Sequence, residues 1–144
     1  MAAALLNDMG RVPEICSMCD MERLINSEKI HATSAGLFAN GSPISENAVK
    51  ALELSDVRSL PDNDYKSHIS RSVTASVMEE SDIIVGISGR HTMHLITMFP
   101  QYASKIISMP CDIPDPFGGD VDEYTQCLEQ IKACIKELFF SHER

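Results

Sequence analysis

The sequence predicts an α/β fold, a single-domain parallel sheet flanked by helices. Three observations predict it. Short strand-like segments at residues 29–33, 82–87 and 105–109 alternate with segments of helical spacing, the order that builds parallel sheets. The run Asp82-Ile-Ile-Val-Gly-Ile87 is continuously apolar after its first residue, as in a strand buried on both faces. The chain has 144 residues, 44% of them hydrophobic, and shows no internal repeat or low-complexity linker, which suits one core.

The elements follow in order. The first nine residues are good helix formers and Gly10 breaks the pattern. Pro13 is placed to start a second helix, with Ile15, Met18, Cys19 and Ile25 at helical spacing. Lys29-Ile-His-Ala-Thr33 reads as a short strand running into Ser34-Ala-Gly36 and the turn Asn40-Gly-Ser-Pro43. Ser45 is an N-cap for a helix through Leu52, and the polar residues 55–67 read as loop. Ser72 or Thr74 caps a short helix ending near Glu80. Residues 89–99 read as a helix stopped by Pro100, and residues 105–109 as the next strand. After a loop at 111–119, Val121, Tyr124, Leu128, Ile131, Ile135 and Leu138 recur three and four apart, the stripe of an amphipathic helix.

Charge and termini narrow the function. A net charge of −9 argues against nonspecific binding to nucleic acid or anionic lipid, so neither nucleic acid nor membrane is an expected partner. The amino-terminal nine residues lack the basic start and apolar length of a signal peptide, and no stretch approaches the roughly 18 apolar residues of a membrane span. Five cysteines, an odd number, read as reduced thiols in a cytoplasmic protein.

Ligands of open parallel sheets bind outside the carboxyl ends of the strands. Ser34-Ala-Gly36, Ser88-Gly-Arg90 and the loop through Asp115 end there. In Asp115-Pro-Phe-Gly-Gly119, Pro116 restricts the residue before it, so Asp115 sits on a stiffened loop beside an aromatic ring. A carboxyl group held there suits a general acid. The plainer alternative is an acidic loop that only caps the final helix. Cys16-Ser-Met-Cys19 is spaced for zinc or a redox disulfide, but with no second pair nearby two small apolar residues on a helix face is the simpler reading.

Asp115-Pro-Phe-Gly-Gly119 resembles the general-acid loop of the low-molecular-weight protein tyrosine phosphatases, in the form of the bacterial branch that includes protein-arginine phosphatases. Ser34-Ala-Gly36 is similar to the segment after the family's second strand, and Ser67-His-Ile-Ser-Arg71 to its motif before the third. Glu80-Ser-Asp-Ile-Ile-Val85 resembles the entry to the third strand. Met1-Ala-Ala-Ala-Leu-Leu6 looks like the helix directly after the family's phosphate loop. The resemblance covers nearly the whole chain and keeps the motifs in order.

The resemblance implies a sheet of order 2-1-3-4 and dephosphorylation of phosphotyrosine or phosphoarginine in proteins. The partner is then a phosphorylated protein or a small phosphate ester, with no cofactor and no metal. Asp115 matches the catalytic general acid and base, Phe117 the aromatic beside the substrate, and Ser34 and His68 the groups that brace the phosphate loop; Arg71 is expected to be structural. The family's cysteine–x5–arginine loop is not in this sequence. The nearest approach, Cys16 to Arg23, has six residues between and lies in an expected helix. The nucleophile is thus absent, and the expectation is that Met1 is an internal methionine of a longer product. Residues 1–144 then form one domain incomplete at its amino-terminal end, with an insert near residues 10–28 and inactive as given. An incomplete sheet also suggests self-association. A thioredoxin-coupled arsenate reductase shares the fold, but its extra cysteines are lacking at residues 80–95. A non-catalytic binding domain is the alternative from another class. A serine hydrolase fails because Arg90 stands where the nucleophile elbow in Gly86-Ile-Ser-Gly-Arg90 needs glycine.

Overall fold

Local sequence starts four of the helices in the same way. In the computed structural model, which describes residues 1–9 and 31–140, a side-chain oxygen accepts a hydrogen bond from the first turn of four helices in succession. Ser45 accepts from the Ala48 amide and opens α2, Glu46–Leu54. Thr74 accepts from Val77 and opens α3, Ala75–Glu80. Ser88 accepts from His91 and opens α4, Gly89–Met98, and Asp120 accepts from Glu123 and opens α5, Val121–Ile135. The first helix, α1, is Ala2–Met9. The helix expected from Pro13, the Cys16/Cys19 pair and the first two residues of the strand at 29–33 lie outside the described residues.

Among the described residues the sheet has two strands, β1 (Ile84–Gly86) and β2 (Ile106–Ser108). They pair in parallel with Ile84 opposite Ile106 and Gly86 opposite Ser108, and α4 makes the crossover between them. Two apolar clusters flank this pair. Leu5, Leu52, Leu128, Ile131 and Ile135 join α1, α2 and α5, and Val85 and Ile87 pack against them. Met78, Leu95 and Ile106 form the second cluster with α3 and α4, and Ile84 packs against that one. The unbroken apolar run of β1 therefore feeds opposite clusters with alternate residues, as the period of a strand requires. Burial is only partial: Ile84 and Val85 are half-buried, and Ile83, just before the strand, is 54% exposed.

Gly86 marks where β1 meets α4. A Cβ there would lie 2.8 Å from the Thr92 backbone nitrogen, so only glycine permits the approach. The carboxyl end of α3 is closed from a distance. The Lys105 ammonium donates to the carbonyls of Met78 (3.0 Å), Glu79 (2.9 Å) and Ser81 (2.9 Å), satisfying groups that a helix end leaves open.

Several sequence expectations need correction. Residues 31–33 are not strand; both backbone polar groups of Ala32 are taken by the Asn7 side chain instead of a ladder. The last helix is regular only to Ile135 and continues as a π-helical turn, Lys136–Phe140, so Leu138 lies beyond the α-helix. Residues 55–67 are not merely loop. They hold a 3₁₀ turn, Tyr65–Ser67, and bury Val57, Asn63 and Tyr65, with the Tyr65 hydroxyl donating to the Val57 carbonyl at 2.5 Å.

Candidate active site

Two backbone segments far apart in sequence are stitched together by hydrogen bonds. The Gly36 amide donates to the Arg71 carbonyl (2.8 Å), Val73 donates to Gly36 (3.0 Å), and Ile44 donates to His68 (3.1 Å). This clamp places Ser34 beside His68 and Arg71. The Ser34 hydroxyl lies 3.4 Å from His68 Nε2, and Arg71 Nε donates to the Ser34 carbonyl at 3.2 Å. All three line a cleft of about 440 Å³, together with Asn7 and Asn63.

Burial lowers the His68 pKa, and the positive charges of the Met1 amino group and Arg71 lower it further. The ring is thereby biased toward the neutral imidazole, which has one donor and one acceptor nitrogen and can share a hydrogen bond with a hydroxyl in either direction. The cleft floor is equally ordered. Asn63, only 5% exposed, donates to the Ala4 carbonyl at 2.9 Å and accepts from Asn7 Nδ2 at 3.3 Å.

Asp115 and Phe117 stand elsewhere, on the loop between β2 and α5. One Asp115 carboxylate oxygen accepts from the Phe117 amide at 3.0 Å, a short-range turn of the kind aspartate favours. The Gly119 amide then donates to the Pro116 carbonyl at 2.8 Å, with Gly118 between them at φ 83°, a left-handed position. Asn47 Nδ2 holds the far end by donating to the Gly119 carbonyl at 3.0 Å. Asp115 is exposed, and the Phe117 ring is 83% exposed. The cap of α5 is Asp120, so Asp115 is not spent on the helix start.

Ser34 and His68 are thus brought together, and Asp115 and Phe117 are not among the residues lining their cleft. Met1, at the amino end of α1, lines the cleft of Ser34 and His68. The Met1 amino charge acts on His68 and also on Cys127 in α5, and Cys127 in turn feels the Asp115 carboxylate. Burial is the larger influence on Cys127 and raises its thiol pKa.

Sequence reasoning missed Asn7, Asn63 and Asp112. Asn7 was visible as a lone amide at the end of an apolar helical run, and Asn63 as one of three polar residues after Pro61. Asp112 accepts from the Gly89 amide at 2.8 Å and so adds to the start of α4, a contact that no local signal announces. Among the described residues no group of three or more His, Cys, Asp or Glu is placed to hold a metal, and no helix is long and apolar enough to cross a membrane.

Residues 20–144 match the sequence profile of the family described as low molecular weight phosphotyrosine protein phosphatase. A protein-arginine-phosphatase of Bacillus subtilis is 26% identical over 117 residues, which is 76% of this chain and 73% of that protein. Among solved structures, the YwlE arginine phosphatase from Geobacillus stearothermophilus superposes with a TM-score of 0.73 at 22% identity, over 95% of this chain and 79% of the other. The tyrosine phosphatase Wzb from Escherichia coli K30 gives 0.69 at 18% identity, over 94% and 85%. At such identities the structural likeness carries the fold, and the expected α/β phosphatase architecture is the one found.

Proposed function

Since the chain belongs to the low-molecular-weight phosphotyrosine protein phosphatase family, we propose that it serves dephosphorylation of phosphotyrosine or phosphoarginine in proteins, with Asp115 as the general acid. In that chemistry a cysteine thiolate attacks phosphorus and the bond to the leaving group breaks. The aspartic acid gives its proton to the departing oxygen or guanidino nitrogen. The resulting carboxylate then takes a proton from the water that hydrolyses the phosphocysteine. One observation carries the role of Asp115: its carboxylate is fixed by the Phe117 amide on an exposed turn, while a different aspartate, Asp120, starts the helix. The exposed Phe117 ring is free to line the substrate. Ser34 and His68 supply a hydroxyl and a neutral imidazole to brace the phosphate loop.

The thiolate and the phosphate-clamping arginine are not among the 144 residues, because no cysteine–x5–arginine segment occurs in them. This polypeptide alone is therefore proposed to be inactive. The three free cysteines of the described residues fit a reducing compartment such as the cytoplasm.

Two assays test the reading. The 144-residue chain is expected not to hydrolyse an aryl phosphate, and vanadate-sensitive turnover by it overturns the proposed inactivity. In a form that carries such a loop ahead of α1, Asp115→Asn is expected to slow turnover of esters with poor leaving groups by about 100-fold or more. Wild-type rates in that variant overturn the role of Asp115.

A further inference from the structure

The loop that carries Asp115 has a second attachment to α5, made by sulfur. Cys111 Sγ lies 3.0 Å from Cys134 Sγ, only about 1 Å farther than the two atoms of a disulfide. Both are free thiols; Cys111 is exposed, three residues after the end of β2, and Cys134 is buried near the end of α5. The third described cysteine, Cys127, is buried and directs its sulfur to the Pro114 carbonyl at 3.6 Å.

We infer that Cys111 and Cys134 are a reversible oxidative modification site, closing to a disulfide that ties the loop at residues 109–119 to α5. The oxidant is a peroxide or a low-molecular-weight disulfide. With hydrogen peroxide, Cys111 meets the oxidant first because it is the exposed partner. Its sulfur takes one peroxide oxygen, giving a sulfenic acid and water. Cys134 then displaces the hydroxyl from that sulfur, the S–S bond forms, and a second water carries away the Cys134 proton. Two thiols have lost two electrons to one peroxide. A dithiol reductant reverses the step by thiol–disulfide exchange. Burial raises the Cys134 pKa, and so does its side-chain hydrogen bond with Cys111, so Cys134 rests as a thiol, and it is its 3.0 Å approach to Cys111 that suits it to the resolving step.

The bond joins elements that already converge. Asp112, next to Cys111, accepts from the Gly89 amide, and Asp115 lies three residues further on. Oxidation therefore restrains the backbone that positions Asp115. That consequence rests on the proposed role of Asp115, but the pairing of the two thiols does not.

The test is direct mapping. The folded, reduced chain is exposed to dilute hydrogen peroxide or to glutathione disulfide, quenched by alkylation in denaturant, and digested with trypsin. The expected product links fragment 106–132, which carries Cys111 and Cys127, to fragment 133–136, which carries Cys134, and the Cys127→Ser variant assigns the bond to Cys111. Dithiothreitol should release it, and Cys127→Ser should leave it intact. In Cys134→Ala the oxidised Cys111 should instead accumulate as a mixed disulfide or a higher oxide. Oxidation of Cys111 with Cys134 still open to alkylation overturns the inference. So does a lack of reaction at either thiol, a Cys111 link to another cysteine, or an equal yield of the link in urea. None of these failures bears on Asp115, whose test reads turnover of a loop-bearing form.

Discussion

Asn7 and Ala32 exchange two hydrogen bonds: Asn7 Nδ2 donates to the Ala32 carbonyl at 2.9 Å, and the Ala32 amide donates to Asn7 Oδ1 at 2.7 Å. A single side-chain amide here does the work of a neighbouring strand for one residue. The same Nδ2 reaches Asn63 Oδ1, so α1, the segment before Ser34 and the segment before His68 share one polar knot. Asn7→Ala is expected to lower stability by about 1–3 kcal/mol, because it leaves half-buried backbone groups without partners. A fall in the urea midpoint with an unchanged slope is the expected reading. An unchanged midpoint shows that water replaces the amide at no cost.

The His68 titration tests the cleft. Its pKa is lowered from 6.5 in the folded chain, chiefly by burial. The unfolded chain then binds more protons than the folded one between the folded pKa and 6.5. Stability associated with His68 is therefore full above about 6.5 and is lost as pH falls through the folded pKa. A ring-proton NMR titration should place the midpoint below 6.5. Arg71→Gln should raise it only part of the way back, since burial is the larger cause. A midpoint at or above 6.5 contradicts the buried, cation-flanked setting.

Lys105 closes α3 through three carbonyls, and its ammonium also lies 5.1 Å from the centre of the Tyr102 ring. Lys105→Met keeps the length of the stem and removes the donors. A loss of about 1–3 kcal/mol is expected, with faster amide exchange at the last residues of α3. If exchange in α3 is unaltered, the lysine is not what holds that helix end.

What the sequence disclosed was mostly local. Ser45 and Thr74 were legible as caps because a cap needs only its own first turn, and α5 was legible because its apolar stripe is a property of consecutive residues. The missed features are those in which a residue acts across the fold. The amide of Asn7 serves Ala32, Lys105 serves α3, and Cys111 meets Cys134, each pair more than 20 residues apart. Ser34 was legible as part of a segment at the end of an expected strand, but its partnership with His68 came only through a family resemblance, since nothing local tells a serine at the end of a segment from one clamped against a histidine. Asp115 and Asp120 show the limit most clearly. Both precede the same helix; Asp120, directly before Val121, caps it, while Asp115 turns back on the Phe117 amide.

That turn gives the last prediction, a contrast between two glycines. At Gly118 a Cβ meets nothing within 4 Å, but φ is 83°, so alanine is penalised by the backbone alone, by about 1–2 kcal/mol. At Gly86 φ is not the obstacle; a Cβ would press on the Thr92 backbone nitrogen at 2.8 Å, and β1 cannot move without disturbing both apolar clusters, nor α4 without disturbing the one that holds Leu95. Gly86→Ala should therefore lower the melting temperature of the whole domain and speed exchange throughout β1 and β2. Gly118→Ala should leave those strands protected and release the Phe117 amide from Asp115, seen as faster exchange at Phe117 alone. In a form able to turn over substrate, Gly118→Ala should also reduce activity without loss of fold, because the carboxyl group is no longer held on its turn. If the two variants give the same exchange pattern, the Asp115 turn is not an independent unit, and its rigidity comes from the core beneath it.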